Sequence, residues 1–208
     1  IYSMEAAQID FYPYQFKPVI KFINSPTERL IIADEVGLGK TIESALIWIE
    51  LQARRHAKRL LIVCPKILGE KWKDELRSKF LLDARIVDFY ELKSEVQELK
   101  KTGPAHSFNL IATYTGLRPS KSELSLLNDP PGTKMTGSEK SEFLRKIAHW
   151  SLSYEPFDLV IFDEAHKVPE IFDAIKIAVD EDRETAGKFI ISGSSQFKLS
   201  EKIAESLA

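Results

Sequence analysis

The sequence contains a single cysteine, Cys64. A disulfide needs two thiols and a structural zinc site needs several clustered ligands, so neither can be assembled from this cysteine content. His56, His106 and His149 have no ligand partners at metal spacing and read as surface or half-buried residues. Charge of one sign is lacking as well: 29 Lys and Arg against 31 Asp and Glu leave a formal net charge of −2. That balance argues against a wholly basic nucleic-acid surface and leaves room for a local basic face. No apolar run reaches the roughly 18 residues of a membrane helix, and no basic-then-apolar signal peptide opens the chain. A cytoplasmic protein in a reducing compartment is the expectation.

What is present is a rhythm of short apolar runs. "RLIIA" (29 to 33), "RLLIVC" (59 to 64), "ARIVDF" (84 to 89), "FNLIATY" (108 to 114), "FDLVIF" (157 to 162) and "GKFIIS" (187 to 192) are rich in branched residues, and helix-like stretches separate several of them. Near-continuous apolar strands alternating with helices predict an α/β fold, a mostly parallel sheet with helices on both faces. "TIESALIWIELQARR", with Ile42, Leu46, Ile49 and Ala53 at helical spacing, reads as a crossover helix. At 208 residues, 44% of them hydrophobic, one core is expected over residues 1–208. Between Pro119 and Ser141 the pattern lapses, so residues 119–141 read as a surface insertion, and "EFLRKIAHWSL" resumes helical spacing. Trp48, Trp72 and Trp150 lie in helix-like segments, where core packing is the ordinary role.

The first strand runs into "ADEVGLGKTIES". Gly37 and Gly39 permit a tight turn whose backbone N–H groups face phosphate oxygens. Lys40 supplies a cation for the β- and γ-phosphates, and Thr41 offers a hydroxyl to Mg²⁺ at a helix N-terminus. Val36, Leu38 and Ile42 complete the turn that would cradle the nucleotide. The strict pattern G-x-x-x-x-G-K-[ST] demands glycine at position 34, where Asp34 stands. A second half lies at "LVIFDEAH": Asp163 at the strand tip is placed for Mg²⁺ and Glu164 for the attacking water. The plainer alternative is that the two acids cap the next helix; two matching halves in the right chain order favour the nucleotide site.

Taken in order, these motifs resemble the first RecA-like lobe of helicase superfamily two, in the bacterial branch of the Swi/Snf-type DNA translocases. "ADEVGLGKTIES" is similar to that branch's first motif, acidic pair included. "FYPYQFKPV" resembles its adenine-reading glutamine motif, which implies that Gln15 contacts the adenine edge beside Tyr14. "LLIVCPKILGEKWKDEL" and "LIATYTGLR" are similar to its DNA-backbone motifs, which implies that role for Pro65, Lys66 and Thr113, with Tyr114 alongside. "DEAH" resembles its hydrolysis motif, with His166 linking the nucleotide to the next motif. The resemblance covers residues 9–166. It implies an ATP hydrolase, helicase-like, with Mg²⁺ as cofactor, double-stranded DNA as partner, and a second RecA-like lobe, outside these residues, that supplies arginine fingers.

Past His166 the likeness changes. The family's strand ending in S/T-A-T-P, which couples hydrolysis to DNA movement, is replaced by "IISGSSQF". Residues 167–208 instead resemble a bacterial AAA-type P-loop ATPase, in which Ser192, Ser194 or Ser195 would act as a γ-phosphate sensor; a simple Gly-Ser turn is the alternative. A basic stretch, Arg54 to Lys79, flanks the second strand, and Glu70, Asp74 and Glu75 interleave its helical lysines as on an ordinary solvated face. Three functions are therefore open: a Swi/Snf-type ATP-binding lobe, an AAA-type ATPase or switch not acting on DNA, and a P-loop domain that binds nucleotide without turnover.

Overall fold

The computed structural model describes residues 2, 7–10, 12–26, 28–35, 37–117, 156–168 and 189–193. Six strands, β1 (Arg29–Ile32), β2 (Arg59–Cys64), β3 (Arg85–Ile86), β4 (Phe108–Thr113), β5 (Leu159–Phe162) and β6 (Phe189–Ser192), form one sheet in the order β1-β6-β5-β2-β4-β3. Every pairing is parallel. From Leu60 to Cys64 the central strand β2 is apolar because both of its faces are covered. Leu60, Ile62 and Cys64 enter one core, whereas Leu61 and Val63 enter the other.

Helices α1 (Lys17–Asn24), α2 (Lys40–Arg55) and α3 (Gly69–Phe80) cover the first face, through Val19, Phe22, Leu46, Trp48, Trp72 and Leu76. Helix α4 (Phe89–Thr102) covers the second with Leu92, Val96 and Leu99, and a single turn, α5 (Tyr114–Leu117), follows β4. Fully burying a Leu or Ile stabilises by about 1.5–3 kcal/mol, so these two layers hold the sheet edge that carries the site.

The expected strand at 84–89 is nearly all something else. Only Arg85 and Ile86 pair, both exposed at the sheet edge, with Val87 N–H donating to Ile111 O at 2.9 Å. Asp88 then caps α4: its side chain accepts from Glu91 N–H at 2.9 Å and Glu91 returns the bond to Asp88 N–H at 2.8 Å. This reciprocal capping box starts a helix where the apolar run reads as strand. The other five strands stand where the apolar runs place them: β2 matches its run in full, β1 and β4 each stop one residue short, β5 starts two residues in, and β6 is described from Phe189. The insertion at 119–141, "EFLRKIAHWSL", Trp150 and His149 lie outside the described residues, as do 169–188 and 194–208. Among the described residues no helix is long and apolar enough to cross a membrane.

Candidate nucleotide site

Parallel strands gather their C-terminal ends on one edge, and there the two halves of the motif pattern meet. The lysine turn leaves β1 and the paired acids leave β5, with β6 between. Two inter-strand spacings, roughly 10 Å, separate the parent strands. The register makes them level: Ile32 pairs with Ser192, and Phe162 with Ile191.

Gly37 and Gly39 have φ of +92° and +94°, so the turn requires the left-handed conformation that glycine adopts without strain. A Cβ on Gly39 would also meet Gln15 Nε2 at 2.5 Å. Gly39 caps α2 and Lys40 opens it, with Thr41 and Ile42 next, half-buried in the first turn. The Lys40 ammonium folds back into the loop and donates to Asp34 O and Glu35 O, both at 2.9 Å. The same turn is bound from outside by Gln15, whose Nε2 donates to Leu38 O at 3.3 Å. Gln15 is 3% exposed and its Oε1 has no partner among the described residues. Tyr14, next to it, is exposed. Val36 lies outside the described residues. One turn into α2, burial and then the nearby Asp34 carboxylate push the Glu43 carboxyl up to about 8.

Asp163 is the most constrained group at this edge. Its Oδ1 accepts from Ser192 Oγ at 2.7 Å and its Oδ2 from Trp72 Nε1 at 2.7 Å. Tyr114 Oη donates to its carbonyl at 3.0 Å, and its own N–H donates to Val63 O at 2.9 Å. Burial, followed by the Asp163 charge, pushes the Cys64 thiol up to about 12 and raises the Tyr114 phenol as well. Glu164 follows in the left-handed region at φ +53°, a conformation that costs a non-glycine residue about 1–2 kcal/mol. Its Oε2 lies 3.5 Å from His166 Nε2 and 3.3 Å from Lys167 Nζ, while His166 Nδ1 is buried with no partner among the described residues. Glu164 makes no side-chain cap to the short 3₁₀ turn Ala165–Lys167, and Asp163 is engaged by Ser192 and Trp72; the stretch that would hold a capped helix, 169–188, lies outside the described residues.

Ser192 is thus brought onto Asp163; Ser194 and Ser195 lie outside the described residues. Pro65 and Lys66 sit at the end of β2, where Pro65 O accepts from Leu68 N–H at 2.9 Å and Lys66 is exposed. Thr113 ends β4, its Oγ1 accepting from Gly116 N–H at 3.1 Å. Several of the neighbouring basic residues are paired: Arg55 with Glu28, Arg59 with Asp158, Lys71 and Lys79 with Glu75. The solvated-face reading of those helical lysines therefore describes them. Sequence reasoning assigned Trp72 to core packing and Tyr114 to a place near DNA; neither reading foresaw a hydrogen bond to Asp163.

The donor set suits magnesium held partly by a phosphate ligand. Among the described residues no group of three or more His, Cys, Asp or Glu could cage a metal, and Mg²⁺ ordinarily takes one or two protein oxygens plus phosphates and water. Asp163, whose two carboxylate oxygens each accept one bond and retain a lone pair, and the Thr41 hydroxyl are oxygens of that kind.

The model of the SNF2-related domain matches residues 15–195. The chain belongs to that family. Relatives include an uncharacterized ATP-dependent helicase, YqhH of Bacillus subtilis, 43% identical over 72 residues, which are 35% of this chain and 13% of that protein. The RNA polymerase-associated protein RapA of Yersinia enterocolitica is 28% identical over 165 residues, 79% of this chain and 14% of that one. Among solved structures, the SWI2/SNF2 ATPase core of Sulfolobus solfataricus in complex with dsDNA is similar with a TM-score of 0.60 at 17% identity, over 97% of this chain and 36% of that chain. At that identity the likeness shows the fold, a RecA-like α/β sheet. The chain spans a minor part of each relative's length. Because the SNF2-related match continues past His166 to residue 195, the AAA-type reading of the tail is not favoured.

Proposed function

We propose that the chain is the Mg-ATP-binding lobe of a Swi/Snf-type, DNA-dependent ATPase. The observation that supports this best is the arrival, on one sheet edge, of a lysine wrapped in a double-glycine turn and an aspartate fixed by surrounding side chains. In this reading Lys40 exchanges the Asp34 and Glu35 carbonyls for β- and γ-phosphate oxygens, while the N–H groups of residues 37–41 line the phosphates. Thr41 and Asp163 would hold the magnesium. When bound, magnesium neutralises charge developing on the transferred phosphoryl. Glu164 orients and deprotonates the water, and His166 passes its position to the neighbouring motifs. The unpartnered Gln15 Oε1 accepts from the adenine amino group, with the amide's second N–H available to the ring; leaving that oxygen orphaned costs about 1–3 kcal/mol.

Double-stranded DNA would run past Pro65, Lys66 and Thr113, whose backbone-facing turns share the edge with the nucleotide. A second RecA-like lobe supplies arginine fingers, worth about 10³ to 10⁵ in rate, or roughly 4–7 kcal/mol at about 1.36 kcal/mol per tenfold. The 208-residue chain by itself therefore binds nucleotide with little turnover, in a cytoplasmic setting. Binding of a fluorescent ATP with Mg²⁺ tests the site: Lys40→Ala loses the loop's charged phosphate donor and should bind at least tenfold more weakly, by about 1.4 kcal/mol or more. Equal affinity in the variant and the parent would refute the placement.

A further inference from the structure

Trp72 is 1% exposed in the core beneath β2, yet its one polar atom leaves that core to meet Asp163 Oδ2 at 2.7 Å. We propose that Trp72 is a positioning residue for the magnesium-binding aspartate. The inference rests on the nucleotide-site reading above and extends it to a residue whose helix follows the Lys66 turn. An aspartate's terminal torsion is broad and roughly two-fold, so one tether leaves the carboxylate plane free to swing. Ser192 supplies such a tether at Oδ1 through a hydroxyl that itself rotates. The indole N–H is different: it is donor-only and fixed in a ring that the core immobilises, so a second bond at Oδ2 sets the plane.

Trp48 provides an internal comparison. It is 0% exposed in the same core cluster, and its Nε1 has no hydrogen-bond partner among the described residues. Packing a tryptophan in this core does not by itself require that its N–H be aimed at an acceptor. Trp72 stands in the first turn of α3, which begins at Gly69 directly after the Lys66–Leu68 turn, and Asp163 lies 91 residues further along the chain. The contact thus joins the loop at the end of β2 to the acid at the end of β5. Groups that orient a metal-binding carboxylate ordinarily change metal affinity by about 10- to 100-fold when removed.

Trp72→Phe keeps a ring in the core and deletes the donor. Fluorescent ATP titrated into the 208-residue chain across a magnesium series should show the half-saturating magnesium concentration raised about tenfold in the variant, with affinity in EDTA unchanged. A lost core contact alone would lower thermal stability without changing this magnesium dependence. A second measurement uses the native indole, its resonance assigned by elimination with Trp48→Phe and Trp150→Phe. The Trp72 indole N–H signal should move on addition of Mg-ATP and not on addition of ATP with EDTA, because cation binding draws charge from its acceptor. A wild-type chain that shows no magnesium-dependent binding overturns the nucleotide site and this inference together. Wild-type binding whose magnesium dependence survives Trp72→Phe, or an indole signal unmoved by Mg-ATP, overturns this inference alone.

Discussion

Gly39→Ala tests the construction of the turn. The new Cβ would lie 2.5 Å from Gln15 Nε2, and the residue would be held at φ +94°. The left-handed backbone costs an alanine about 1–2 kcal/mol. Displacing Gln15, 3% exposed and bonded to Leu38 O, adds about 1–2 kcal/mol through a lost hydrogen bond and an unsatisfied amide. The sum is about 2–4 kcal/mol, or roughly 5–15 °C in Tm for a domain of this size. Gly37→Ala is the control, because its φ is nearly the same, +92°, and nothing described lies within 4 Å of the new Cβ. It should cost only the backbone share, about 1–2 kcal/mol. Thermal unfolding of both variants and of the Gln15→Ala, Gly39→Ala double variant measures the difference. The double variant should recover about 1 kcal/mol relative to additivity, since the clash partner is gone. Equal destabilisation by the two glycine substitutions would refute the claim that Gln15 is packed against the turn.

The remaining expectations concern the two acids outside that turn. Glu164→Gln should keep ATP affinity and abolish hydrolysis in a protein supplied with its second lobe; undiminished single-turnover hydrolysis would remove Glu164 from the water's side. Asp158 joins β5 to β2 by accepting from Lys58 N–H, Arg59 N–H and the Arg59 guanidinium. Burial pushes its carboxyl up, but these bonds and the Arg59 charge outweigh it and hold the group below the usual carboxylate range. The folded value being the lower, this stabilisation is present above an ordinary aspartate pKa near 4 and is lost as pH falls through the folded value. Denaturant unfolding from pH 7 to pH 2 should show this loss in the parent and a shallower acid dependence in Asp158→Asn; identical slopes would contradict the assignment.

Local signals carried much of the fold into the sequence. β2 was legible because a strand buried on both faces reads as a nearly continuous apolar run, Leu60 to Cys64, and the phosphate turn because its two glycines meet a backbone requirement that few other residues satisfy. The segment 84–89 was misread although its correction was also local: Asp88 followed three residues later by Glu91 is a capping signature, and it outranks a short apolar run at an edge. The tethers on Asp163 were not legible. Trp72, Tyr114 and Ser192 are separated from it by 91, 49 and 29 residues, and only the strand order brings them to one carboxylate and its carbonyl. A tryptophan at helical spacing signals burial; what its N–H meets is decided by tertiary packing.

A crystal structure of the chain with magnesium and a non-hydrolysable ATP analogue is the most direct measurement. The expected result is phosphates in the turn of residues 37–41 and magnesium about 2.0–2.1 Å from Thr41 Oγ1. Asp163 should reach the metal directly or through one of its waters, and Lys40 Nζ should have moved from the Asp34 and Glu35 carbonyls to the phosphates. A nucleotide seated away from that turn, or a metal that Asp163 does not reach, would contradict the site.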